Sequence, residues 1–182
     1  MKIRRVVTGY DDRGRAVVAA DGAPPWSKEF EHTPGFGSNL VWSTPAPPVI
    51  PVDGVDPTLA VTTLIPRPGE TRLLVVTFPP DSVMAEPGFD FAAAGKEHAE
   101  QSPGLVEAFE PDNPGMHTTP TVDYGIVLDG EIWLELDDGN TVHLGCHDVV
   151  VQNGTRHAWR NKGNKPATLA FMLIGARKSG AN

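Results

Sequence analysis

Three side chains in the last third of the chain are of the types that handle protons and metal ions. His117, Thr119, Thr121 and Asp123 stand in "GMHTTPTVDYGIVLDGEI", all at odd positions. On a strand, residues two apart share a face. A regular strand over 117–127 therefore sets these four on one side and Val122, Tyr124, Ile126 and Leu128 on the other. His157, Trp159 and Asn161 share a face in the same way in "RHAWRN". A histidine and an acid from one strand, with a histidine from another, offer two nitrogens and an oxygen. That set suits Zn, Fe, Mn, Ni or Co, with positions left open for water or substrate. The same residues could serve acid–base chemistry with no metal at all. A carboxylate on an otherwise apolar strand must be paired, metal-bound or protonated. Both readings stay open, and both make His117, Asp123 and His157 the catalytic candidates.

Other side chains carry weaker signals. Arg72 lies on "TRLLVVTF". Facing inward it would clamp a substrate carboxylate bidentately. Facing outward it is a surface arginine. Both faces of that strand are apolar, so alternation does not choose. Thr119 and Thr121 suit a strand as β-formers or touch substrate. Trp159 is a pocket wall or a core residue. Arg72, Thr119, Thr121 and Trp159 are thus the substrate-binding candidates. Tyr124 and Trp133 are expected outside the pocket, and His143 and His147 exposed beside a turn. His32 and His98 fall in irregular or helical surface segments and carry no functional signal. Cys146 has no base placed for it by spacing and reads as a turn residue.

The elements that must position these residues are short strands. The 182 residues hold 19 glycines and 18 prolines, which favours strands and turns over long helices. "KIRRVVTGY" and "RAVVAADG" form a hairpin across "DDRG". Residues 22–69 read as a Pro-rich arm with one strand, "NLVWST". Trp26, Phe30, Phe36 and Trp42 require the arm to pack on the barrel or on a partner subunit. "TRLLVVTFPP" is a strand ended by prolines. Residues 81–114 form an insertion with a helix at "FAAAGKEHAEQ" and a second helical turn at "GLVEAFE". Six strands then follow from "TVDYGIVLDG" to "ATLAFMLIGA", separated by turn signals, which is the pattern of a sandwich or barrel. Two regions result: N-terminal strands and arm over 1–69, and a barrel with its helical insertion over 70–182.

The last third also resembles the cupin superfamily, whose fold is a double-stranded β-helix, or jelly roll. Its first motif runs G-x5-H-x-H-x(3,4)-E-x6-G. His117 falls on the first histidine, Thr119 on the second, Asp123 on the glutamate, and Asp123 to Gly130 keeps the final spacing. The second motif ends in G-x2-H-x3-N, matched by Gly154, His157 and Asn161. His147 takes a turn position that glycine holds in many members. The resemblance covers 115–175, with 70–80 as the preceding strand. It implies an all-β jelly roll with an N-terminal arm and a short helical insertion. It implies a divalent transition metal on His117, Asp123 and His157, or a site that works without one because Thr119 replaces a ligand. It further implies a homodimer, and a lyase or isomerase acting on a small, partly apolar organic acid or ketone. A non-haem metal dioxygenase and a non-catalytic ligand-binding module are the alternatives.

Charge narrows the partners. The formal net charge is −8 with no basic cluster, which disfavours nucleic acid. The N-terminus has no apolar signal region, and no apolar run approaches the ~20 residues a membrane span needs. The expected location is the cytoplasm, without membrane partners. A single cysteine excludes an internal disulfide framework.

Overall fold

The computed structural model describes residues 2–50 and 54–177. Thirteen strands and one α-helix follow in order among these residues. The strands β1 (Arg5–Tyr10) and β2 (Ala16–Gly22) form a hairpin of their own. β3 (Trp26–Glu29), β4 (Gly37–Thr44) and β5 (Thr71–Phe78) pair antiparallel in sequence. The helix α1 (Phe91–Gln101) lies in the insertion. After it come β6 (Phe109–Glu110), β7 (Asn113–His117) and β8 (Thr121–Asp129). β9 (Ile132–Glu135), β10 (Thr141–Leu144), β11 (Val149–Asn153), β12 (Ala158–Arg160) and β13 (Ala167–Gly175) complete the chain.

These strands make a double-sheet jelly roll. One sheet has six strands in the order β11-β8-β13-β5-β4-β3, and the facing sheet has the order β10-β9-β12. Leu40, Leu74, Leu169 and Phe171 from the first sheet meet Ile132, Leu134 and Leu144 from the second in one core. Burying a side chain such as Ile132 stabilises the fold by roughly 1.5–3 kcal/mol. No described helix is long and apolar enough to cross a membrane.

The Pro-rich segment differs from its expected form. It supplies two strands, not one, and both belong to the main sheet through the β4–β5 pairing. Trp26 and Phe36 pack against the chain's own core. The aromatic residues of this segment thus find their burial within the same barrel, and Trp42 lies against the Arg5 guanidinium.

Helix α1 forms where expected. Asp90 caps its N-terminus by accepting from the amides of Ala92 and Ala93. Glu97 ties it to the β3–β4 loop by accepting from the amides of Glu31 and His32, both at 2.7 Å. The helix therefore sits over one end of the barrel. Gly130 makes the β8–β9 turn with φ of 76°, and a Cβ there would stand 2.6 Å from the Pro166 carbonyl oxygen. The glycine that closes the first motif is required by both its conformation and its close neighbour.

Candidate functional site

The expected single strand over 117–127 is broken. β7 stops at His117 and β8 starts at Thr121, because residues 118–120 lead through Pro120, which cannot donate a ladder hydrogen bond. The alternation nevertheless survives the break. His117, Thr119, Thr121 and Asp123 are all buried, while Tyr124 and Leu128 are exposed on the other face. Gly154 keeps the segment in place. Its φ is 62°, and a Cβ would lie 3.2 Å from the Thr119 carbonyl oxygen and 3.3 Å from that of Thr121.

His117 and His157 are held as a pair by the backbone. Each amide donates to the other's carbonyl at 2.9 Å, and the imidazole centroids lie 4.3 Å apart. The His117 Nδ1 donates to the Gly115 carbonyl at 2.9 Å, and the His157 Nδ1 donates to the Thr155 carbonyl at 3.0 Å. A carbonyl oxygen only accepts, so each Nδ1 carries the proton and each Nε2 presents a lone pair. Burial holds the His117 imidazole below its ordinary pKa, opposed by the Gly115 carbonyl. Burial, and then the neighbouring His117, holds His157 down to about 4. Both rings are neutral at neutral pH.

Asp123 lines the same cavity. Burial raises its carboxyl to about 6, partly offset by a hydrogen bond from Thr121. Its Oδ1 is buried without a hydrogen-bond partner. Asp123 occupies the middle strand of the site: Gln152 stands opposite it on β11 and Leu173 opposite it on β13. Asn161, the last residue of the second motif, serves the fold. Its amide nitrogen donates to the carbonyls of Phe78 and Lys165, and its oxygen accepts from the Gly163 amide.

The cavity holds about 540 Å³ and is mostly apolar in its walls, within the usual range for a small-molecule site. His117, Asp123, His157, Thr119 and Trp159 all line it. Two expected substrate contacts do not. Arg72 is buried but spent on Ser43 Oγ, the Thr71 carbonyl and Glu70, with which it forms a 3.0 Å ion pair. Thr121 is 1% exposed and shares a 2.8 Å hydrogen bond with Thr119. One residue is gained: His98, read as an uninformative surface residue, lines the cavity from α1. Only the packing of α1 on the barrel reveals it, since its helix has no motif.

The three-ligand metal set does not assemble. Among the described residues, no three His, Cys, Asp or Glu side chains gather closely enough to hold a metal ion. The two imidazoles converge, and the Thr119 hydroxyl is engaged with Thr121. The donors present are thus two nitrogens, a partial set for a transition metal. His143 stacks on Trp133 and pairs with Glu131 at the exposed surface, away from the cavity. His147 sits in its turn with φ of 74°. Cys146 is exposed.

No family model matches the chain. It is 55% identical over 63 residues to phomopsin biosynthesis cluster protein D of Diaporthe leptostromiformis, covering 34% of this chain and 33% of that protein. It is 35% identical over 65 residues to the cupin-domain-containing oxidoreductase virC of Hypocrea virens, covering 34% of each. These matches span about a third of the relatives' length. A longer alignment, 25% identical over 179 residues, covers 95% of this chain and 72% of the cupin-domain-containing oxidoreductase fogC of Aspergillus ruber. The Cupin_2 domain of an XRE family transcriptional regulator from Enterobacter cloacae superposes with a TM-score of 0.35 at 13% identity, over 59% of this chain and 83% of that one. With both motifs seated on a double-sheet jelly roll and one cupin-domain-containing relative aligned along 95% of its length, this chain has the double-stranded β-helix fold of the cupins.

Proposed function

We propose that the protein is a small-molecule enzyme that moves a proton at carbon, as a lyase or isomerase, on a small, partly apolar organic acid or ketone. One observation carries this reading. A buried carboxylate with an unpartnered oxygen and two neutral imidazoles with free Nε2 lone pairs line a single apolar cavity. Asp123 is the stronger base, since its carboxyl binds a proton at about 6 and His157 only at about 4. At neutral pH the carboxylate takes the proton from a carbon next to a carbonyl. The protonated Asp123 then returns it to another carbon, giving an isomer, or to a departing hydroxyl, which leaves as water. His157 and His117 accept the O–H of a substrate hydroxyl or enol and orient it. The apolar walls keep the carboxylate poorly solvated and so more basic than in water.

The experiment is hydrogen–deuterium exchange at carbon, followed by NMR, over a panel of enolisable ketones and β-hydroxy acids. Asp123→Asn should slow exchange by about 10²–10⁴-fold. Exchange that continues at the wild-type rate in that variant overturns the assignment. A second reading is a metal-dependent oxygenase. It is favoured by the relatives named oxidoreductases and by the two free Nε2 lone pairs. Stoichiometric iron in the purified protein, with turnover that requires oxygen, would replace the first reading with this one.

A further inference from the structure

A third histidine, His98, also lines the cavity. From His157, ring contacts pass through Trp159, Phe171, Phe78 and Phe36 to His98. The steps between centroids run from 4.8 to 6.4 Å, in edge-on or tilted geometry, and every one of these rings lines the cavity. Such contacts fix each ring against the next. The wall is therefore a continuous, stiff aromatic surface with a histidine at each end. The His98 Nε2 shares a hydrogen bond of 3.2 Å with Thr33 Oγ1, and the ring packs on Phe30 and Phe36. Its Nδ1 has no protein partner among the described residues. Thr33 fixes the ring while the other nitrogen stays available, either as donor or acceptor according to the tautomer.

We propose that His98 is a specificity-determining residue: it reads a second polar group on a planar aromatic ligand whose other polar group meets His117 and His157. The proposal rests on the functional reading above only in placing one end of the ligand at the paired imidazoles. A flat ring system fits a wall built of ring edges and faces, and it leaves few rotors to freeze on binding. Burial holds His98 below its ordinary pKa, against the nearby Glu97 carboxylate, so the ring is neutral at neutral pH. A neutral imidazole suits a hydroxyl or carbonyl as the second group, and it does not provide the charge that a carboxylate needs.

Fluorescence titration tests this with two pairs of probes. Each pair sets a diol against its mono-hydroxy analogue: 2,6-dihydroxynaphthalene with 2-naphthol, and 4,4′-biphenol with 4-phenylphenol. In the wild type, the diol of at least one pair should bind about fivefold tighter, the worth of one neutral hydrogen bond. His98→Phe keeps the ring contacts and removes the nitrogens. It should abolish the preference while leaving the mono-hydroxy affinity within twofold. An equal loss for both members of the pair would mean that His98 only holds α1 in place, and overturns the proposal. So does a preference that survives His98→Phe, or a wild type that binds none of the four probes. The readout is binding alone. A selective diol preference with Asp123→Asn fully active would leave the His98 assignment standing and remove the proton-transfer reading.

Discussion

Replacing Asp123 by asparagine should stabilise the protein more at neutral pH than at acid pH. The carboxyl has an ordinary pKa of 3.8, raised by burial to about 6. The folded state therefore binds this proton more tightly than the unfolded chain does. Its contribution to stability is fully present below pH 3.8 and is lost as pH rises to 6. Each tenfold difference in proton affinity is worth 1.36 kcal/mol, so an ionised Asp123 costs the folded protein about 3 kcal/mol above pH 7. Asparagine has nearly the same shape and cannot ionise. Urea unfolding, followed by circular dichroism at pH 4.5 and pH 7.5, measures the gain of the variant at each pH. The gain at pH 7.5 should exceed that at pH 4.5 by about 2 kcal/mol, since the carboxyl is already partly ionised in the unfolded chain at the lower pH. His117 and His157 titrate in both proteins, and their effects cancel in the comparison. An equal gain at both pH values, or a variant less stable at pH 7.5, would refute the claim that burial outweighs the Thr121 hydrogen bond and raises the Asp123 carboxyl.

Asn161→Ala should destabilise the protein by about 1–3 kcal/mol in the same urea assay, because three partly buried backbone groups lose their partner. Thr119→His adds an imidazole beside the existing pair. Elemental analysis after dialysis against zinc should show more metal retained than in the wild type, and equal retention would refute a shared face for residues 117 and 119. The hairpin β1–β2 exposes Val6, Tyr10 and Val18 and, among the described residues, pairs with no other strand. Isolated hairpins are marginal in water, so light scattering should return the mass of a homodimer; a monomer mass would leave the hairpin unsupported by a second copy.

Local chemistry made much of this protein legible in the sequence. Strand positions followed from alternation and turn residues, and α1 was expected at "FAAAGKEHAEQ". Odd positions at 117, 119, 121 and 123 share burial even though the strand breaks at Pro120, because extended backbone on either side keeps the period of two. His117 and His157 were matched by motif spacing, and the backbone pairing between them brings their rings together.

What required the tertiary structure was everything set by partners distant in the chain. Arg72 has the right type and an inward position, yet Ser43 and Glu70 engage it, and no periodicity on β5 encodes that. The Pro-rich segment gains a second strand because β4 pairs with β5 and carries β3 with it into the sheet. The three candidate ligands share a cavity without closing on one point, since a face is a property of one strand and a ligand distance depends on the packing of several. His98 is the clearest case. Nothing about a histidine in "GKEHAEQ" marks it. It becomes part of the cavity only when Glu97 and Thr33 draw α1 over the barrel mouth, and side-chain burial of that kind is decided by the fold as a whole.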